Sequence, residues 1–228
     1  MLKNLIGLGL AVANHLVNVE QFAMSQCPMT STWFNAFQKF CLIEGTIMPI
    51  TNFSQSMVGG TSGGAVTEDT WNSSFHGYQE VVGDMYFLCA RQHEDVPSLS
   101  MKYQWTNFVS CMNGDDGLVG IALIPGNARR CAEATLGSEF ADILDQCVSN
   151  EDEGLRLFHD AVFRTSDLGV KYDAPELPVI RINGKEYKGL EAYYNLGERI
   201  CDAYDGNDKP ENCGCTEEYN KVVASIAM

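Results

Sequence analysis

Phe22-Ala-Met-Ser-Gln-Cys27-Pro28-Met29-Thr30-Ser-Thr-Trp33 runs an apolar strand directly into a helix and leaves one cysteine at the corner. The residues before it, Val17-Asn-Val-Glu-Gln-Phe-Ala-Met24, are β-branched at the start and apolar at the end, which is strand composition. Pro28 suits a first helical position, where it has no N–H to lose. The first N–H groups of a helix are unpaired and, with the helix dipole, favour negative charge beside them. A cysteine placed there ionises more readily, from an ordinary value of about 8.5 toward roughly 3.5–7.5. Cys27 is therefore the candidate nucleophile.

Working outward, the helix after Cys27 places Trp33, Phe34, Phe37, Phe40 and Cys41 on one apolar stripe and ends at Gly45. Thr46-Ile-Met-Pro-Ile50 then reads as a second strand, which makes a βαβ start with parallel strands. Val58 to Glu68, with Gly-Gly-Thr-Ser-Gly-Gly at its centre, is a loop by composition. From Trp71 to about Phe163 the segments are helix-like, broken near Asp95-Val-Pro97, Asn113-Gly-Asp-Asp-Gly117 and Pro125-Gly-Asn127. Pro178-Val-Ile-Arg-Ile-Asn183-Gly184-Lys-Glu-Tyr187 is a strand, a hairpin turn and a return strand. A helix with Leu190, Tyr193, Tyr194, Gly197, Ile200, Cys201 and Tyr204 on one face follows. The class is α/β. The order is that of a thioredoxin-like fold with a disulfide-stapled helical insertion between an N-terminal βαβ half and a C-terminal ββα half. The expected divisions are a signal-peptide pattern over 1–13, the N-terminal half over 14–58, the insert with its entry loop over 59–170, the C-terminal half over 171–215 and a tail over 216–228.

Fifteen basic against thirty acidic residues give a net charge of −15 without a long acidic block, which argues against nucleic acid or an anionic membrane as partner. Met1 to Ala13 has one lysine, a short apolar run and an A-x-A end, the pattern of a secretory signal peptide; an N-terminal helix is the alternative. No other run is long and apolar enough to cross a bilayer. Nine cysteines are many for a cytosolic enzyme and point to an oxidising compartment, while the odd count leaves at least one unpaired. Asn52-Phe-Ser54 and Asn72-Ser-Ser74 are glycosylation sequons that fit the same route.

From about Val17 to Cys213 the chain resembles the gamma-interferon-inducible lysosomal thiol reductase family, through an ordered series of motifs. Cys27-Pro28 falls where that family has its catalytic C-x-x-C, after the first strand. His76-Gly77-Tyr-Gln-Glu80 resembles its H-G-x-x-E signature. Cys111-Met112, Cys131, Cys147, Arg164-Thr165, Leu177-Pro178-Val-Ile-Arg-Ile-Asn183-Gly184 and Ile200-Cys201 through Lys209-Pro210-Glu-Asn-Cys213 follow in the family's order. Two departures matter. Thr30 stands where the second active-site cysteine belongs, so the motif is C-P-M-T; Ser74 and Val81 replace a pair of cysteines around His76.

The resemblance implies a thiol–disulfide oxidoreductase acting on disulfide-containing proteins in the lysosomal, endosomal or secreted route. In such an enzyme the first thiolate attacks a substrate disulfide and the second cysteine resolves the mixed disulfide. With Thr30 in place, release needs an outside thiol such as glutathione or free cysteine, or return of the bond to the substrate as in an isomerase. Thr30 keeps a hydroxyl able to donate toward the Cys27 sulfur. Leu177-Pro178 resembles the loop that carries a cis proline opposite the nucleophile, and with Pro28, Met29, His76 and Glu80 it is expected to meet substrate. For His76 and Glu80, four residues apart on one helical face, the alternative is a pair that stabilises the insert. Of the six framework cysteines, Cys201 is expected to pair with Cys213, Cys111 with Cys131 and Cys89 with Cys147.

Cys41 lies roughly 21 Å along the same helix from Cys27 at about 1.5 Å per residue, too far to replace the missing thiol, and is read as a small buried apolar residue. Cys215 is read as an extra tail cysteine, with a thiol offered to Cys27 or to another chain as the alternative. His15, His93 and His159 have no metal-ligand spacing, Gly59 to Gly64 has no phosphate-loop lysine, and the residues after Cys27 lack the local signature of papain-like enzymes. No metal and no cofactor is expected. The competing reading is a catalytically impaired binding or structural protein on the same scaffold.

Overall fold

A computed structural model describes residues 16–60, 66–94, 103–114, 126–170 and 178–226. The signal-peptide pattern over residues 1–13 and Leu177 lie outside them. Strand β1 (Val17–Ala23) enters helix α1 (Pro28–Phe37), and β2 (Thr51–Met57) returns parallel to β1, with Val17 opposite Thr51 and Ala23 opposite Met57. The return strand starts later than expected. Pro49 has a fixed φ and no N–H to give a ladder, and Met48–Ile50 form a 3₁₀ turn ahead of it. The α1 helix is likewise shorter, passing at Gln38–Ile43 into a π-helical turn.

β3 (Val179–Ile182) runs antiparallel to β1, and β4 (Lys185–Lys188) completes a hairpin at the edge, so the sheet order is β2-β1-β3-β4. Asn183 and Gly184 both have positive φ, 48° and 82°, which the two-residue turn requires. This is a thioredoxin-like sheet. Helices α2 (Tyr78–Gln92), α3 (Gln104–Asn113), α4 (Gly126–Thr135), α5 (Ser138–Ser149) and α6 (Arg156–Asp167) are inserted between β2 and β3. Then α7 (Leu196–Ala203) and α8 (Glu217–Ile226) close the chain.

One face of the sheet carries Val17, Val19 and Phe53 into the main core. There Phe53 meets Phe37 at 5.0 Å between ring centroids and stacks on Trp105 at 5.8 Å. The other face buries Phe22 and Val179 in a smaller cluster. Arg164 of α6 binds Glu20 and reaches Ser56 Oγ at 2.7 Å, so the helix lies across β1 and β2.

Within the insert, disulfides join Cys89 to Cys147 and Cys111 to Cys131, and beyond the hairpin Cys201 joins Cys213, the three pairings favoured among the fifteen that six cysteines allow. A fourth corrects two expectations: Cys41 is bonded to Cys215. Residues 216–226 are not a tail. The chain folds back so that the Thr46 N–H reaches the Gly214 carbonyl at 3.0 Å and the Thr216 N–H reaches the Phe40 carbonyl at 2.9 Å, while α8 buries Tyr219 and Val223. Gly197 is needed there because a Cβ on it would sit 2.5 Å from the Cys215 nitrogen. Among the described residues no helix is long and apolar enough to cross a membrane.

Candidate active site

Cys27 is the one free cysteine of nine, since the other eight are in disulfides. It caps α1 with extended backbone (φ −81°, ψ 115°), and Pro28 takes the first helical position. Its N–H bonds to the Met24 carbonyl at 3.2 Å, and its carbonyl accepts the Ser31 N–H at 3.0 Å. The residue is half-buried, while Pro28 and Met29 beside it are exposed and open to an incoming chain. Cys27 rests on the small cluster of Phe22, Met24, Val58, Val170 and Val179. Val179 of this cluster puts the start of β3 next to Cys27, and Pro178, directly before it, is buried.

Thr30, one turn into α1, is buried at 7% exposure. Its hydroxyl and Gln21 face the phenol of Tyr193, a fully buried ring stacked on Trp33 at 4.8 Å. Burial pushes this phenol well above its ordinary value, and the neighbouring Cys27 sulfur adds to the effect. Gln21 also accepts the Gln55 amide at 2.7 Å across the parallel strands, so buried polar groups lie in the sheet below the corner. Trp33 donates its indole N–H to Tyr219 of α8 at 2.7 Å, and the Tyr219 hydroxyl reaches the Tyr193 carbonyl at 2.8 Å. Helix α8 therefore braces α1.

His76 and Glu80 meet, but not on one helical face. His76 lies ahead of α2, whose N-cap Gly77 has φ 85°, and its Nδ1 bonds back to Glu80. Glu80 is wholly buried and so unavailable to substrate, contrary to the expectation for it. It is held by Ser74, at one of the positions where the resembled family has a cysteine, and it accepts the Gln26 N–H at 3.2 Å. One turn on, Asp84 is also fully buried, and its Oδ1 accepts the Ser25 N–H at 2.8 Å. The Ser25 hydroxyl donates to the Glu80 carbonyl at 3.0 Å. The turn preceding Cys27 is thus clamped to α2 by two acidic side chains and one carbonyl. Burial, with the nearby Glu80 carboxylate, holds the Asp84 carboxyl well above the usual carboxylate range. Removing a buried hydrogen-bond acceptor of this kind costs about 1–3 kcal/mol.

Sequence reasoning missed Ser25, Gln26, Asp84 and Tyr193. The spacing of Glu80 and Asp84 on a helix was a signal for the pair, but nothing local tied it to Ser25 more than fifty residues away. The remaining expected residues lie apart from Cys27. Asn52 is exposed on β2, with its amide donating to Asn18 at 2.8 Å, and Asn72 is exposed ahead of α2. On the far side of the insert, His93, Glu153 and Cys147 bring ligand atoms within 4.8 Å of one another, yet the Cys147 sulfur is bonded to Cys89 and offers no thiolate.

Among solved structures the chain is similar to BdbD from Bacillus subtilis in its oxidised form, with 19% identity over 83% of this chain and 88% of that one and a TM-score of 0.49. It is also similar to oxidised Mtb DsbA, with 11% identity over 92% of this chain and 89% of that one and a TM-score of 0.47. No family model matches the chain, and no curated protein does.

Proposed function

We propose that the chain is a thiol–disulfide oxidoreductase that works through Cys27 alone and depends on an outside thiol. The observation that carries this reading is the placement of the one free cysteine: a half-buried sulfur at a helix N-cap, flanked by exposed Pro28 and Met29, with every other cysteine bonded. The Cys27 thiolate attacks one sulfur of a substrate disulfide, forming a mixed disulfide and expelling the other substrate sulfur as a thiolate. A thiol such as glutathione or free cysteine attacks next and releases the second substrate thiol; a further equivalent frees Cys27 and leaves as the oxidised small-molecule disulfide. Each cycle reduces one substrate disulfide and oxidises two outside thiols.

Within this reading the chain is a relative of the gamma-interferon-inducible lysosomal thiol reductases that has lost the resolving cysteine. Its substrates are disulfide-containing proteins in the lumen of the secretory or endosomal route. Four disulfides support such a compartment. A second reading, a binding protein on this scaffold, is favoured by Thr30 alone.

Insulin-disulfide reduction separates the two. The expected result is Cys27-dependent turnover that needs added glutathione and disappears in Cys27→Ser. A binding protein gives no turnover above the Cys27→Ser control with or without glutathione.

A further inference from the structure

Glu80 and Asp84 are one helical turn apart and fully buried beneath the turn that leads into Cys27. A buried carboxylate needs hydrogen-bond donors, a cation or a proton. Glu80 has donors in Ser74, His76 and the Gln26 N–H. Among the described residues Asp84 is met by Ser25 alone, whose N–H bonds to Oδ1, and its Oδ2 has no hydrogen-bond partner.

Among the described residues the cations on the elements packed around α2 are engaged elsewhere, Arg156 of α6 with Asp160 among them. Asp142 and Asp145 of α5 bind Arg129, Tyr86 donates to Asp145, Glu153 pairs with His93, and Arg164 of α6 binds Glu20. Helix α3 has no charged residue. His76 is the titratable base at the pair, and it contacts Glu80. Among the described residues no cation meets Asp84, which leaves a proton to neutralise it.

We propose that Asp84 is a proton-bearing positioning residue for Cys27. Neutral, it holds the Ser25 amide and with it the turn that sets the sulfur at the start of α1; ionised, it confronts Glu80 in a dry site and the turn is released. The proton passes to solvent, and no bond to the substrate is involved. The inference rests on Cys27 as the nucleophile, so its test reads thiol reactivity separately from turnover.

The alkylation rate of Cys27 by iodoacetamide, followed from acid to alkaline pH on the oxidised protein with Cys27→Ser as blank, is the measurement. Wild type is expected to show a second inflection besides the thiol's own, and Asp84→Asn to remove it while keeping the wild-type rate on the acid side. Asp84→Leu, which removes the acceptor for Ser25, is expected to slow exchange with oxidised glutathione by about 10–100-fold, the scale on which small misplacements of reacting groups act. If Asp84→Asn does not fold, Glu80→Gln serves, because loss of the neighbouring charge moves the second inflection to lower pH. A single titration curve in wild type, an inflection that persists in Asp84→Asn, or one that does not move in Glu80→Gln overturns the proposal. A second inflection that Asp84→Asn removes, in a protein that does not turn over insulin, supports the proposal and overturns the exchange reading.

Discussion

Cys27 and Thr30 occupy the cap and third position of the same helix, the spacing at which a dithiol motif closes a disulfide. Thr30→Cys should therefore create a second thiol within reach of the first. Titration of free thiols after mild oxidation is expected to fall to zero per chain, and insulin reduction to lose its dependence on glutathione when a dithiol reductant recharges the pair. Thiols that stay free would show that residue 30 does not face the Cys27 sulfur. Asp84 makes a separate prediction about stability. Its folded value is raised by burial and by Glu80 above that of the unfolded chain, so the native state holds an extra proton between the two. The contribution is whole below about pH 4 and is lost as pH rises through the raised folded value. Urea midpoints should fall with rising pH across that window, and Asp84→Asn should flatten the slope. An unchanged slope in the variant would place the linkage elsewhere.

At the scale of elements, α8 is bound to α1 by the Trp33–Tyr219 hydrogen bond, and the segment leading into α8 is bound to the π-helical turn by the Cys41–Cys215 disulfide. Cys41→Ala with Cys215→Ala is expected to cost about 2–5 kcal/mol in urea unfolding. Faster amide exchange should be confined first to 214–226. Gly197→Ala drives a methyl into the Cys215 backbone and should cost about 1–3 kcal/mol for overpacking, with Cys27 reactivity retained.

The elements were legible in the sequence where a period was long or a turn was specific. The stripe from Trp33 to Cys41, the Asn183-Gly184 hairpin and the helical insert all have such a signal. Two were not. The second strand was placed too early because Ile47 and Ile50 look like strand residues, whereas Pro49 holds them in a 3₁₀ turn. Helix α8 reads as a tail in the sequence because what docks it, Trp33 and, through Cys215, Cys41, lies far away in the chain; only its Tyr219 and Val223 are buried. The strand-to-helix corner was readable from local chemistry, a cysteine before a proline at a junction the structure shows, with Cys27 as the cap of α1. The acidic clamp beneath it was not, since it exists only when the insert folds onto the βαβ half.

Across the whole molecule, the sheet, the insert and the closing helix converge on the start of α1. β1 leads to Cys27, β3 brings Val179 beside it, α2 grips Ser25 and Gln26 from the insert, and α8 braces Trp33 from behind. Four disulfides lock this arrangement and consume every thiol except one. On the proposed function, Cys27 attacks a disulfide and no second thiol of the chain is free to release it. Intact-mass analysis of the protein mixed with a disulfide-bonded peptide tests this most directly. The predicted result is a one-to-one adduct on Cys27 that accumulates and is discharged only when glutathione is added. No adduct, or an adduct that discharges without any added thiol, would contradict it.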